Sequence, residues 1–185
     1  TECKHLIPKF KMPPMNEKLV RKAIAYAIDY DGIVNDIFGG YAEKADSFIS
    51  STIWGYKAVG GVGEYDPEKA AECLKEAGYE NGLDLGDILT YGGADSPKGK
   101  AAVVIQDNLA AVGITVGVDM REYAAAEADM YGQNYDLVIF GDSNNYDFNN
   151  IRQQVHSEST GMYLVKFKDE RSPFNWQRME ELIDL

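Results

Sequence analysis

YDPEKAAECLKEAGYENG (65–82), KAAVVIQDNLAAVGITV (100–116) and YDLVIFG (135–141) follow one another in that order, and their periods decide the fold. In the first, Asp66-Pro67 signals a helix start twice, as N-cap and as proline at the first helical position. Ala70, Cys73, Leu74 and Ala77 then recur on one helical face, and Gly78 ends the run. Ser96-Pro97 repeats the start signal ahead of the second, whose buried stripe is Ala102, Ile105, Leu109 and Val112 with a stop at Gly113. Residues 114–121 alternate with period two, as a half-buried strand does, and 135–140 form a short apolar run suited to a strand buried on both faces.

Working outward, Leu83 to Tyr91 reads as a strand closed by a Gly-Gly-Ala-Asp turn, and 122–130 suits a helix. Upstream, Asn16 is expected to cap a helix after Pro13-Pro14, with Val20, Ile24, Ala27 and Ile28 inward. A second short helix over 31–38 is expected to bury Ile33, Val34, Ile37 and Phe38 and to stop at Gly39-Gly40. Residues 41–63 have no clean period and read as a long loop. Thr1 to Met12 is short, mixed and polar, does not read as a signal peptide, and is assigned no element. From Asp142 to Asn150 the chain turns polar and loop-like. A strand is expected over 161–168, and a last helix capped by Asn175 uses Met179, Leu182 and Ile183. Helix and strand alternate, so the expected class is α/β, an α+β mixed sheet layered with helices.

Composition narrows the function. The 185 residues are 45% apolar and 26% charged, which suits one globular core. A net charge of −12 opposes binding to nucleic acid or anionic lipid. Cys3 and Cys73 make no disulfide framework, and unpaired thiols are expected because Cys73 falls on a helix core position. No apolar run approaches the length of a membrane span.

No motif points to catalysis. Gly141-Asp142-Ser143-Asn144-Asn145 follows a buried strand, but Asn145 replaces the glycine a nucleophile elbow needs. His5 and His156 are tied by spacing to no serine, cysteine or acid. Gly60-Gly61-Val62-Gly63 lacks the lysine of a phosphate loop. Asp142, Asn144, Asn145 and Asp147 offer oxygen ligands, yet Tyr146 breaks the EF-hand spacing, and ordinary turn chemistry explains the loop better than calcium. No cofactor or metal is expected. The aromatic residues are the better lead: Trp54, Tyr56, Tyr91 and Tyr146 fall in loops or at strand ends, where rings stack on ligands or close the core edge.

MPPMNEKLVRKAIAYAIDYDGIV, Gly40 with Ala42, Trp54-Gly55 and the three opening segments together resemble the family 5 extracellular solute-binding proteins, the peptide- and nickel-type receptors of ABC importers. The resemblance spans about Pro8 to Tyr146, with a weaker echo over Met179 to Leu185. It implies a type II periplasmic-binding-protein fold and the second lobe of a two-lobed receptor, with the first lobe and the return segment lying outside this chain. It also implies an extracytoplasmic location, periplasmic or as a cell-surface lipoprotein whose anchor is not Cys3. The implied partners are a small ligand of peptide or sugar class and an ABC permease, with the receptor a monomer. The ligand-facing residues it implies are Asp142, Asn144, Asn145 and Tyr146, with Tyr91-Gly92 at a strand end and Trp54 as an aromatic wall. In peptide-binding members the loop after YDL carries a tryptophan and an aspartate that pairs with the peptide's α-amino group; Asp142 and Asn145 stand there instead, and a neutral Asn145 pairs poorly with an ammonium, which leaves a neutral ligand such as an oligosaccharide open beside a peptide held by Asp142 or Asp147. Lys9 also stands where many members have asparagine. Two rival readings are a small α/β hydrolase using Ser143 and a sensor or interaction module reusing the lobe.

Overall fold

A computed structural model describes residues 2–9, 12–46, 51–52, 56–58, 64–132 and 134–143, without the side chains of residues 2, 3, 142 and 143. Four strands, β1 (Glu2–Pro8), β2 (Leu83–Tyr91), β3 (Ile114–Arg121) and β4 (Leu137–Ser143), form one sheet in the order β1-β4-β2-β3. β2 runs parallel to both β3 and β4, and β1 runs antiparallel to β4 from Glu2↔Ser143 to Pro8↔Leu137. The sheet is mixed, as expected from the sequence.

The helix start signals act as read. In α3 (Pro67–Glu76) the Asp66 side chain accepts from the Lys69 amide at 3.0 Å. In α4 (Pro97–Ala111) Ser96 Oγ accepts from the Gly99 amide at 3.0 Å. Each satisfies a donor that the first helical turn leaves unpaired. α1 (Lys18–Ala27) departs from expectation: its N-cap is Glu17, not Asn16, and no side-chain bond closes it. Arg21 instead reaches back to the Met15 carbonyl at 2.7 Å.

Three further expectations are corrected. The short helix after α1 is a single turn, α2 (Tyr30–Gly32), continued as a π-helical turn over Ile33–Ile37. Ile33, Val34, Ile37 and Phe38 are half-buried rather than buried, because one short turn cannot press a full face inward. Residues 2–8, read as no element, form β1: its apolar pair Leu6-Ile7 is too short to show a period, and pairing with β4 supplies what the local sequence lacks. The strand after Tyr135 continues through Asp142 to Ser143, since β1 pairs with those residues too. The expected strand over 161–168 and the last helix lie outside the described residues.

Two apolar layers cover the sheet. Against one face, Val20, Ala23, Ile24 and Ala27 of α1, Ala70 and Leu74 of α3, and Ala102, Ile105 and Leu109 of α4 pack on Leu85, Ile88, Ile114, Val116, Leu137 and Ile139. Leu85 and Ile88 share that face although three apart, because a register shift between Asp84 and Asp87 inserts a bulge. Against the other face, Ala126 and Met130 of α5 (Tyr123–Gly132) pack on Ile7, Leu89, Val138 and Phe140. Each fully buried aliphatic side chain contributes roughly 1.5–3 kcal/mol. Gln106 donates to the Val116 carbonyl at 2.7 Å and ties α4 to β3; the Asp29 amide donates to Asn108 Oδ1 at 2.9 Å and ties the end of α1 to α4. Cys73 is a half-buried free thiol.

Two predictions follow from this packing. Thr90 is fully buried in β2, and its hydroxyl has no hydrogen-bond partner among the described residues. An unpaired buried hydroxyl costs about 1–3 kcal/mol, so Thr90→Val is expected to leave stability unchanged or raise it by about 1 kcal/mol in urea unfolding. A loss of that size would mean that the hydroxyl is satisfied. His5 of β1 stands opposite Phe140, and burial holds its pKa below the ordinary value. The unfolded chain therefore takes up its proton first, so stability is intact above pH 6.5 and falls as pH drops below it toward the folded-state value. His5→Gln should remove that part of the decline between pH 7 and 5.5, read from urea midpoints at each pH.

Candidate functional site

β2 feeds α4, which lies on the first face, whereas β3 feeds α5, which lies on the second. The two connections leave neighbouring strands toward opposite faces of the sheet, the topology that forms a crevice at the carboxyl edge between them. Open α/β sheets receive ligands at such a point. Tyr91 and Arg121, the last residues of β2 and β3, are register partners there.

Tyr91 is the hub. The Lys98 ammonium lies 3.9 Å from its ring centroid and donates to its hydroxyl at 2.7 Å. Tyr123 meets its edge at 5.0 Å with the planes at 80°, and Phe140 lies 6.0 Å away. Tyr123 is 47% exposed and donates to Glu127 at 2.9 Å, a bond that pushes its phenol pKa up. Arg121 pairs with Asp119 at 2.6 Å and with Asp129 of α5, which clamps the helix to the end of β3. The same Asp119 bonds raise the guanidinium pKa.

The turn from β2 to α4 is built for close approach. Gly92 and Gly93 take φ of 96° and 77°, conformations costly for residues with a Cβ. Ser96 Oγ donates to the Gly93 carbonyl at 2.7 Å. Gly99 packs directly on the same turn, where a Cβ would collide with the Gly93 carbonyl oxygen. The first turn of α4 is thereby fixed, and with it Lys98.

Of the residues expected to face ligand, Tyr91 and Gly92 stand at this edge. Asp142 lies in β4 opposite Cys3, within the strand rather than in a loop beyond it. Trp54, Asn144, Asn145 and Tyr146 lie outside the described residues, as does His156, which the hydrolase reading needs beside Ser143. Lys98, Arg121 and Tyr123 were not foreseen. The Ser96-Pro97 signal could have placed Lys98 in the first turn of a helix that begins at a strand's carboxyl end. A separate cavity of about 150 Å³, lined by Lys9, Met12, Met15, Asp84 and Asp136 among others, lies at the opposite edge, away from this chemistry. The meeting of Tyr91, Lys98 and Tyr123 makes the carboxyl edge the better candidate. Among the described residues no cluster of three or more His, Cys, Asp or Glu is gathered for a metal, and no helix is long and apolar enough to cross a membrane.

A mixed sheet layered with helices on both faces thus gathers polar and aromatic groups at its carboxyl edge, the place where open α/β folds receive ligands. Residues 1–162 match the family described as bacterial extracellular solute-binding proteins, family 5 Middle. The chain belongs to that family. The peptide transport periplasmic protein SapA of Salmonella typhimurium is 34% identical over 139 residues, covering 73% of this chain and 25% of SapA. The ABC transporter-associated periplasmic binding protein DppA of Helicobacter pylori, solved in complex with the peptide STSA, superposes with a TM-score of 0.74 at 32% identity, over 82% of this chain and 29% of that one. HbpA2 of Haemophilus parasuis shares the fold with a TM-score of 0.83 at 20% identity, over 99% of this chain and 36% of that one. The chain thus spans about a quarter to a third of the length of these relatives.

Gly99→Ala tests how the site is built. The added methyl must push α4 off the Gly93 turn, with an expected cost of about 1–3 kcal/mol. The contact between Lys98 and Tyr91 should loosen with it, read as a change in tyrosine near-ultraviolet circular dichroism that Lys100→Ala does not produce.

Proposed function

We propose that these 185 residues are one lobe of an extracytoplasmic solute receptor that serves an ABC importer. The work is reversible capture of a small solute, peptide or a comparably sized molecule, and its delivery to a membrane permease; no bond is made or broken. The observation that carries this reading is the carboxyl edge, where Tyr91, Lys98, Arg121 and Tyr123 meet at the crevice between β2 and β3.

The chain path supports it. Glu2 begins β1 beside Ser143, the end of β4, at this same carboxyl edge. In a two-lobed receptor a second lobe would form the opposite wall of a cleft at this edge. Relatives about three times as long have the material for such a second wall. Ligand contacts to both walls would favour a closed form over an open one, and a permease that prefers the closed form reads occupancy. A single lobe keeps half the contacts and binds weakly. In the whole receptor the residues between Asp142 and Tyr146, together with Trp54, would complete the ligand shell.

The test is a thermal-shift and calorimetric screen of the full-length protein against short peptides, oligosaccharides and nickel complexes. A ligand present at 100 times its Kd should stabilise the receptor by about 2.7 kcal/mol. Tyr91→Ala should weaken that ligand roughly tenfold, about 1.4 kcal/mol, while leaving the fold intact. If none of the three ligand classes stabilises the protein, the receptor reading is lost.

A further inference from the structure

The cavity of about 150 Å³ at the amino edge of the sheet has no part in the receptor reading. A cavity of that volume takes a molecule about the size of benzene, a single small solute rather than a peptide. Its floor is apolar and fixed. Met15 and Leu85 belong to the core, each 4% exposed, and the rings of Pro13 and Pro14 stiffen one wall. Its rim carries both signs of charge, from Lys9, Asp84 and Asp136. Lys9 stands where many members of the family have asparagine, so this cation is the chain's own.

The Lys9 amide donates to the Asp136 carbonyl at 2.9 Å, which holds the two residues side by side. Their side-chain charges nevertheless do not meet. Among the described residues, neither the Lys9 ammonium nor the Asp136 carboxylate has an ion-pair partner. The Asp136 carboxylate accepts a long bond from the Asp87 amide, 3.5 Å. Gly86, at φ 72° in the bulge of β2, clears the place for that carboxylate, since any Cβ there would collide with it. Asp84 accepts from the Gly86 amide at 2.9 Å and holds the bulge in place. Two opposite charges thus line one preformed cavity with space between them.

We propose that this cavity is a second binding site, outside the receptor crevice, for a free α-amino acid with a small apolar side chain. The carboxylate pairs with Lys9, the ammonium with Asp136, and the side chain lies on Met15 and Leu85. Charge sign selects the class. A lone cation would face the Lys9 ammonium, and a lone anion would face two carboxylates, whereas a zwitterion meets both with attraction. In an α-amino acid both charged groups hang on one carbon, a spacing short enough for so small a cavity. Asp84 and Asp136 are exposed, so water screens the rim, and a Kd of about 1 mM is expected. Met12, 54% exposed at the mouth, gives an adaptable edge against which different side chains fit.

The experiment is an NMR titration of the full-length protein, with isotope-labelled methionine methyl groups, against L-valine, valinamide and N-acetylvaline. Valine is expected to shift the Met12 and Met15 methyl signals and not that of Met130, which packs on the other face of the sheet. Valinamide lacks the carboxylate and N-acetylvaline the ammonium, and each should bind at least about fivefold more weakly. Lys9→Asn should weaken valine to the level of valinamide, and Tyr91→Ala, at the opposite edge, should leave valine binding unchanged. No shift of either methyl at about ten times the expected Kd would overturn the proposal. Either blocked form binding as tightly as valine would do the same, by showing a site for one charge only; that comparison needs no variant to fold. Undiminished valine binding by a folded Lys9→Asn would also overturn it. So would valine binding that Tyr91→Ala abolishes, which would put the amino acid in the receptor crevice. None of these outcomes touches the receptor reading, whose own screen uses peptides, oligosaccharides and nickel complexes.

Discussion

The rest of the structure depends on β2 and β4 being apolar on both faces. Ile88, Leu137 and Ile139 project to one side of the sheet, Leu89, Val138 and Phe140 to the other. Strands of this kind cannot face water, so helices must cover both sides. A right-handed crossover from β2 to β3 sets α4 on one face. Returning from β3 past β2 to β4 with the same hand sets α5 on the opposite one. The reversal of direction is therefore a consequence of burying the central strands, and the crevice at the carboxyl edge is a consequence of the reversal. The candidate edge is a by-product of how the core is closed.

This explains which parts of the fold were legible in the sequence. Asp66-Pro67 and Ser96-Pro97 announce α3 and α4 because capping is local chemistry: a side-chain oxygen and an amide three residues on. β2 and β3 have the bounds read from their periods, 83–91 and 114–121, because glycines and turns delimit them. β1 was not legible. It exists because β4 needs a partner on its outer edge, and nothing in Glu2–Pro8 states that need. Asn16 looked the better cap than Glu17, yet α1 starts without a side-chain cap, since Arg21 holds the preceding turn through the Met15 carbonyl.

For the site the division is sharper. Tyr91-Gly92 could be read as a strand end followed by a turn, which is where α/β sheets place ligands. Lys98 could not be read as its neighbour, because their meeting depends on the first turn of α4 packing against the Gly92-Gly93 turn. Sequence separation is small, but the ring and the ammonium start on opposite sides of the sheet. Arg121 likewise reads as an ordinary edge charge until α5 brings Asp129 to it. Local signals found the scaffold; the chemistry appeared only where two elements cross.

That crossing also changes what the aromatic residues mean. A tyrosine at a strand end suggests a platform for stacking a ring or a sugar. Tyr91 instead spends its face on a cation, its hydroxyl on the same cation and its edge on Tyr123. Cation–π attraction is worth about 0.5–1 kcal/mol at exposed sites and more when desolvated, so closing a lobe over it would tighten the pair rather than free the ring.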